Sequence, residues 1–171
     1  MIPGHEFSGV IAKIGNKVRG LKEGDRVTAD INMSCGTCFY CIRGEKLLCD
    51  SFSQLGIHTD GTFAEYVKAP AINMYILPDK ISFEEGAFIE PVSCVIHAAK
   101  AMDARLGSSV VIIGCGLGVL HSRMAVLRAC APVIIFGDNH KRLKIAKDMG
   151  ADYAIQINDV ADPIGEVMRL T

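Results

Sequence analysis

Four cysteines stand close together in the first third of the chain, at Cys35, Cys38, Cys41 and Cys49. Three thiols at three-residue intervals, followed by a fourth after one short loop, can close a tetrahedral shell of sulfur around one Zn²⁺. Thiolate is the form that binds the metal, so the ion keeps these groups deprotonated and holds the surrounding loop together. The spacing therefore predicts a structural zinc site.

Two other arrangements of these cysteines are open. Cys35 and Cys38 have the C-x-x-C form of a thioredoxin-like redox pair, but such a pair leaves Cys41 and Cys49 without a role. Disulfides are the other alternative, and neighbouring three-residue spacings rarely suit several native bridges. We favour zinc over both.

Composition limits the classes of function that fit the chain. Of its 171 residues, 50% are hydrophobic and 22% are charged, which is typical of a globular protein. The net charge of -1 gives no electrostatic basis for binding nucleic acid. The sequence has no apolar run long enough for a membrane span, and its start lacks the features of a signal peptide. Seven cysteines with four assigned to metal fit a reducing cytoplasm, so we expect a cytoplasmic protein.

The first part of the chain, up to about residue 105, is predicted to be rich in β-structure. Short alternating or β-branched runs predict strands at residues 7–14, 25–29 and 63–67. Ser82 and Glu85 have the spacing of a capping box, and a second helix is expected at residues 92–102, after Pro91.

The remainder of the chain alternates strands with helices. Strands are expected at residues 110–113, 132–136 and 153–157, the first of them apolar enough for burial on both faces, and helices at 120–130, 141–149 and 162–171. This β-α-β-α-β order is half of a doubly wound parallel sheet. We therefore predict an α/β fold with a β-rich lobe, divided into domains at 1–105 and 106–171.

A glycine-rich loop follows the first of these buried strands and precedes a helix, which is where such loops bind a pyrophosphate. Its third glycine comes one residue early, with Val119 in the expected place, so a tight turn that binds nothing is the alternative. Asp138 ends the next strand, where a carboxylate can accept a hydrogen bond from a ribose 2′-hydroxyl. The candidate cofactor-binding residues are Gly114, Gly116, Leu117, Gly118, Val119, Asp138 and Arg142.

Several segments together resemble the zinc-dependent medium-chain alcohol dehydrogenase family, and most closely its sorbitol, polyol and threonine dehydrogenase branch. The resemblance implies a partial GroES-like catalytic domain followed by half of a Rossmann domain. It runs the whole length of the chain and looks like a central fragment that lacks both ends. The matching segments are residues 4–10, 24–27, the four-cysteine lobe, 60–66, Glu90-Pro91, and 142–152.

The resemblance also implies roles for individual residues. His5 inherits the role of a catalytic zinc ligand, and Glu90 reaches the same metal directly or through water. Glu6 is the adjacent candidate, either as a ligand or as a group that supports a ligand. The family's catalytic zinc also takes a cysteine from a segment that precedes the histidine, so we expect this site to be incomplete. NAD or NADP is the implied cofactor. Counting back from Arg142 puts Gly137 at the usual acidic position, whereas counting from the glycine loop puts Asp138 there.

These expectations combine into one functional hypothesis with two alternatives. The chain is expected to derive from an NAD(P)-linked, zinc-dependent dehydrogenase of a small alcohol or polyol, as a truncated form with little or no activity alone. A non-catalytic zinc-binding remnant is the first alternative. A zinc-ribbon module that binds nucleic acid is disfavoured by the charge balance. A sheet cut after three strands leaves an apolar edge, so a homo-oligomer is expected.

Overall fold

The computed structural model describes residues 1–171 and divides them into two compact units, Met1–Glu90 and Pro91–Thr171. This division of packing differs from the domain limits expected from sequence, because residues 91–105 belong to the second unit. The domain assignment to 1–105 and 106–171 stays a prediction. No helix is long and apolar enough to cross a membrane.

Short strands form the framework of the first unit. One antiparallel sheet has the order β1-β2-β5, and a two-stranded sheet pairs β3 with β4. The central strand β2 contributes Val27, Thr28 and Ala29 to the buried interior. The elements are β1 Gly9–Val10, β2 Arg26–Ala29, β3 Asn32–Met33, α1 Phe39–Ile42, β4 Ser53–Gln54, β5 Met74–Ile76 and α2 Phe83–Ala87.

Two of the expected strands differ from the structure. Within residues 7–14 only Gly9–Val10 is a strand, and residues 63–67 form none. The backbone that leads into the second segment forms hydrogen bonds with the start of the chain. The amides of Gly61, Thr62 and Phe63 donate to the carbonyls of Ile2, Gly4 and Pro3 at 2.7, 3.0 and 3.0 Å. The segment therefore fastens the residues before His5 instead of joining a sheet.

Glycine is required where this segment meets the start of the chain. A Cβ atom at Gly56 or at Gly61 would overlap the carbonyl oxygen of Gly4. Gly56 also has a φ of +76°, which side chains rarely adopt. Because both positions lack a side chain, the loop closes directly on the backbone that leads into His5.

The first of the two helices after the β-rich region, α2, begins as the sequence indicates. The Ser82 hydroxyl accepts from the Glu85 amide at 3.1 Å, and the Glu85 carboxylate accepts from the Ser82 amide at 2.8 Å. This reciprocal pair is the predicted capping box. The next helix, α3, runs from Ile89 to Ala101 and begins earlier than expected. Its first turn therefore contains Glu90, with Pro91 at a position where no backbone donor is needed.

A three-stranded parallel sheet in the order β6-β7-β8 forms the centre of the second unit. All residues of β7 are buried, as expected for the middle strand of a sheet covered on both faces. The prediction of half a doubly wound sheet is confirmed. The elements after α3 are β6 Val110–Ile113, α4 Gly118–Leu127, β7 Val133–Gly137, α5 His140–Asp148, β8 Tyr153–Gln156 and α6 Pro163–Leu170.

Replacing Gly56 with alanine is expected to lower the free energy of unfolding of the first unit by about 2–4 kcal/mol. The added Cβ would overlap the Gly4 carbonyl oxygen, and the positive φ would be strained. Denaturant unfolding followed by circular dichroism measures the change. Gly9→Ala is the matched control, because a Cβ there meets nothing within 4 Å. Equal losses in the two variants would show that the contact with Gly4 contributes nothing.

Candidate functional site

The four cysteines of the predicted zinc site converge. Their sulfur atoms all lie within 4.8 Å of one another, and the Sγ atoms of Cys35 and Cys41 are 3.9 Å apart. Zinc–sulfur bonds near 2.3 Å in a tetrahedron require sulfur atoms about 3.8 Å apart. The arrangement thus fits Zn²⁺ with little movement of the loop. A redox pair needs only two of these sulfurs, and the convergence of all four favours the metal site.

Backbone amides point at two of the sulfurs. The amides of Thr37 and Cys38 donate to Cys35 Sγ at 3.4 and 3.3 Å, and those of Cys35 and Ser51 donate to Cys49 Sγ at 3.3 and 3.4 Å. Such donors stabilise a thiolate and fix the direction of its lone pairs. The short helix α1 begins directly after Cys38 and carries Cys41, so local turns alone bring three of the ligands together.

The same contacts perturb the thiols. The backbone amide of Thr37, followed by that of Cys38, lowers the pKa of Cys35 to about 6. The backbone amide of Cys41 likewise lowers the pKa of Cys38, whereas desolvation raises the pKa of Cys41 to about 11. Metal binding therefore has to displace a firmly held proton from Cys41, whereas the Cys35 thiol loses its proton more easily. The four cysteines of the cluster are free thiols in the structure, so the disulfide alternative is wrong.

A second cluster of possible metal ligands contains His5, Glu6 and Glu90. One ligand atom from each lies within 4.8 Å of the others, with His5 and Glu90 half-buried and Glu6 exposed. The structure thus brings together residues separated by most of the first unit. One imidazole nitrogen and two carboxylates can hold a divalent cation and leave further coordination positions open.

Hydrogen bonds hold the two halves of this cluster in place. The hydroxyl of Thr28 donates to the carbonyl of Phe7 at 2.8 Å, and the hydroxyl of Ser8 donates to the carbonyl of Phe83 in α2 at 2.5 Å. Sequence patterns gave no sign of either bond. Together with Gly56 and Gly61, they fix the segment that carries His5 and Glu6 on the sheet and on the helix that leads to Glu90.

The glycine-rich loop has room on one side and close packing on the other. Gly114 has a φ of +101°, and a Cβ at Gly116 would meet nothing within 4 Å. A Cβ at Gly118 would lie 3.1 Å from the Ile112 side chain and 3.3 Å from that of Ile135. Gly118 therefore permits the close approach of helix to strand that the fingerprint assigns to its third glycine. Val119, at that third position, is buried in the core instead.

Leu117 is the N-cap residue of α4 and is itself exposed, so the loop presents the positive end of a ten-residue helix. Backbone donors at such an end suit an anion such as a pyrophosphate. Although Gly118 comes one residue before the third glycine of the fingerprint, the loop still ends at a helix start whose backbone donors suit an anion. The cofactor contacts of the individual residues stay predictions.

The end of β7 decides between the two candidate positions for an acidic residue. A Cβ at Gly137 would lie 2.6 Å from the Cβ of Cys115, so no side chain fits there. Asp138 is exposed directly beyond the strand, and its Oδ1 lies 3.5 Å from the Cys115 thiol. Arg142 lies exposed in the first turn of α5, which the Asn139 side chain caps through the Arg142 amide. This geometry favours Asp138 as the residue that meets a ribose.

Gln156, the last residue of β8, is a neighbour of this site that sequence patterns did not single out. Its side-chain nitrogen lies 3.3 Å from the Asp138 carbonyl oxygen and 3.2 Å from His140 Nε2. A polar residue at the carboxyl end of a predicted parallel strand was the available signal, because such ends line the ligand crevice of these sheets.

Comparison with known proteins shows what these features resemble. Residues 1–79 match the alcohol dehydrogenase GroES-like domain. L-threonine 3-dehydrogenase of Legionella pneumophila (strain Corby) is 36% identical in an alignment 171 residues long, gaps included. The alignment covers 96% of this chain and 50% of that relative. The chain thus spans about half the length of the relatives it matches.

Solved structures agree with this assignment. A zinc-binding dehydrogenase from Sinorhizobium meliloti 1021 bound to NADP has a TM-score of 0.88 and 34% identity, covering 96% of this chain and 50% of that one. An alcohol dehydrogenase from Escherichia coli CFT073 in complex with NADH has a TM-score of 0.88 and 31% identity, with 98% and 50% covered. The fold is a GroES-like domain with part of a Rossmann-like sheet. The resemblance to the zinc-dependent alcohol dehydrogenase family that the sequence motifs indicated is confirmed.

Substitution of Cys49 by serine is expected to abolish retention of tightly bound zinc, because a hydroxyl does not replace a thiolate in a four-sulfur shell. Metal content after dialysis against a chelator measures the loss, and the thermal midpoint of the first unit should fall with it. Cys94→Ser, which changes a cysteine outside the cluster, should keep its zinc. Retention of the metal by the Cys49 variant would exclude a four-cysteine site.

Proposed function

We propose that the chain forms the zinc-binding and adenosine-binding part of an NAD(P)-linked, zinc-dependent alcohol or polyol dehydrogenase. Hydride transfer between a secondary alcohol and nicotinamide is the reaction we assign to the whole enzyme. The observation that carries this proposal is the meeting of His5, Glu6 and Glu90 within 4.8 Å. The four-cysteine site alone is compatible with many functions, whereas a second cluster with open coordination positions suits catalysis.

The chemistry of the donors fits a divalent metal. A neutral imidazole and carboxylates are ligands that zinc accepts, and His5 with Glu6 and Glu90 would hold it. When bound, zinc would supply a Lewis acid that lowers the pKa of an alcohol oxygen and eases hydride loss from its carbon. The contribution of the chain is orientation: the Thr28 and Ser8 hydrogen bonds and the Gly4 contacts keep the donors facing one another before any metal arrives.

The second unit is proposed to bind the adenosine half of the cofactor. The loop at Gly114 and Gly116 and the start of α4 supply backbone donors for the pyrophosphate. Asp138 is proposed to accept from the ribose, and Arg142 lies one turn further along. Relatives of similar fold bind NADP or NADH, which supports a dinucleotide as the cofactor without choosing between the two.

A non-catalytic zinc-binding module is the competing function. The four-sulfur site is assembled by one short stretch of chain, so it can form whether or not the second cluster holds a metal. One metal per chain is the expected result for such a module, and two for the proposed enzyme.

Association of the chain with itself is part of the proposal. Strand β6 is paired on one side only, with β7, and it carries the exposed side chains of Val111 and Ile113. An apolar strand with unpaired backbone groups favours pairing with a second chain. We therefore keep the expectation of a homo-oligomer formed at this edge.

Loading the metal-free chain with Co²⁺ is expected to yield two bound ions per chain in different environments. The four-thiolate site should give intense sulfur-to-cobalt charge-transfer absorption, and the second site only weak visible bands. His5→Ala should reduce the count from two to one and leave the charge-transfer absorption intact. His97→Ala, an exposed histidine on α3, should retain both ions. A single ion in the unaltered chain would favour the non-catalytic module.

The chain assayed by itself is expected to reduce NAD⁺ no faster than its His5→Ala variant. Its second cluster offers three donors and its parallel sheet has three strands, whereas a full dinucleotide fold has about six strands to enclose the nicotinamide. Absorbance of the reduced cofactor with a panel of polyols and L-threonine measures turnover. A rate clearly above the His5→Ala control would show that these residues suffice for catalysis.

A further inference from the structure

Cys115 has no role in the function proposed so far, although it stands between the two glycines of the phosphate-binding turn. Its side chain is buried, with 3% of its surface exposed. It packs against the end of β7, where the absence of a side chain at Gly137 leaves space for it. The glycine-rich loop is thereby packed against the end of β7, directly before Asp138.

The thiol of Cys115 contacts the carboxylate of Asp138. Its Sγ lies 3.5 Å from Oδ1, and a neutral thiol can donate its proton to a carboxylate oxygen. That bond engages Oδ1 and leaves Oδ2 to accept from another donor. Asp138 takes part in none of the salt bridges of the structure, so its negative charge is not neutralised by a neighbouring side chain.

Gln156 contacts the backbone of Asp138. Its Nε2 donates to the Asp138 carbonyl oxygen at 3.3 Å. The amide cannot be turned round without bringing two acceptors together, so the Nε2 assignment follows from the contact. Its Oε1 is buried without a partner, so the polar contacts of this side chain are those of its nitrogen. Asp138 is thus fixed through both its backbone and its carboxylate.

We propose that Cys115 is a positioning residue that orients the Asp138 carboxylate toward the 2′-hydroxyl of the adenosine ribose and so favours NAD(H) over NADP(H). This inference rests on the proposed binding of a dinucleotide in the second unit. A ribose hydroxyl can donate to the remaining oxygen Oδ2. A 2′-phosphate at the same place brings its charge against a carboxylate held in a fixed orientation, and like charges at short range repel.

The test is isothermal titration of the full chain with NADH and with NADPH. The unaltered chain should bind NADH about tenfold more tightly than NADPH, on the order expected for one unfavourable charge contact. Cys115→Ala should reduce this ratio by about threefold or more, chiefly by weakening NADH, because the carboxylate loses one hydrogen bond. Cys115→Ser should restore part of the ratio, since its hydroxyl can also donate to Asp138.

Cys130→Ala is the matched control. Cys130 is buried in the same core cluster as Cys115, with 5% of its surface exposed. Cys130→Ala also removes one buried thiol. A purely structural effect of that loss should therefore appear equally in Cys115→Ala and Cys130→Ala. The ratio of the two affinities should stay unchanged in Cys130→Ala, even if both affinities fall.

The outcomes separate this inference from the function on which it rests. Binding of both cofactors with a ratio that Cys115→Ala leaves unaltered would overturn the inference alone, as would a preference for NADPH. Binding of neither cofactor would overturn the proposed dinucleotide site as well. If Cys115→Ala fails to fold, infrared spectra decide: the S–H stretching band of Cys115 should shift in Asp138→Asn, and an unshifted band would refute the contact.

Discussion

Close approach of backbone to backbone, at positions where no side chain fits, is the constraint on which both candidate sites depend. In the first unit, Gly56 and Gly61 lie against the Gly4 carbonyl and so fix the residues that lead into His5. In the second unit, Gly118 brings α4 onto the sheet and Gly137 leaves space for Cys115. The polar groups of each site therefore owe their directions to packed backbone, which is stiffer than a surface side chain.

The two metal clusters differ in how far the sequence alone reveals them. The four cysteines lie within one short stretch, and their spacing predicts the convergence of sulfurs that the structure contains. His5 and Glu90 meet only after most of the first unit has folded, so no local pattern connects them. A resemblance to a family could suggest the pair, but the reason for their meeting lies in the hydrogen bonds of Thr28 and Ser8.

Secondary structure was predictable where one physical signal dominates. The continuous apolar runs of β6 and β7 and the capping box at Ser82 required no tertiary information. Residues 63–67 alternate like a strand, yet the backbone beginning at Gly61 pairs with residues 2–4 instead. Likewise, counting along the sequence left Gly137 and Asp138 equivalent, because the side chain that excludes an acid at 137 belongs to Cys115, far away in sequence.

The proposed binding of a cofactor and the proposed transfer of hydride depend on different residues of the chain. The turn at Gly116, the start of α4 and Asp138 form one continuous edge of the parallel sheet, and they need no metal to present their donors and acceptors. The second metal cluster, by contrast, holds two carboxylates close together, an arrangement that a bound cation would stabilise. The proposed nucleotide site and the proposed catalytic metal site therefore depend on different interactions of the chain.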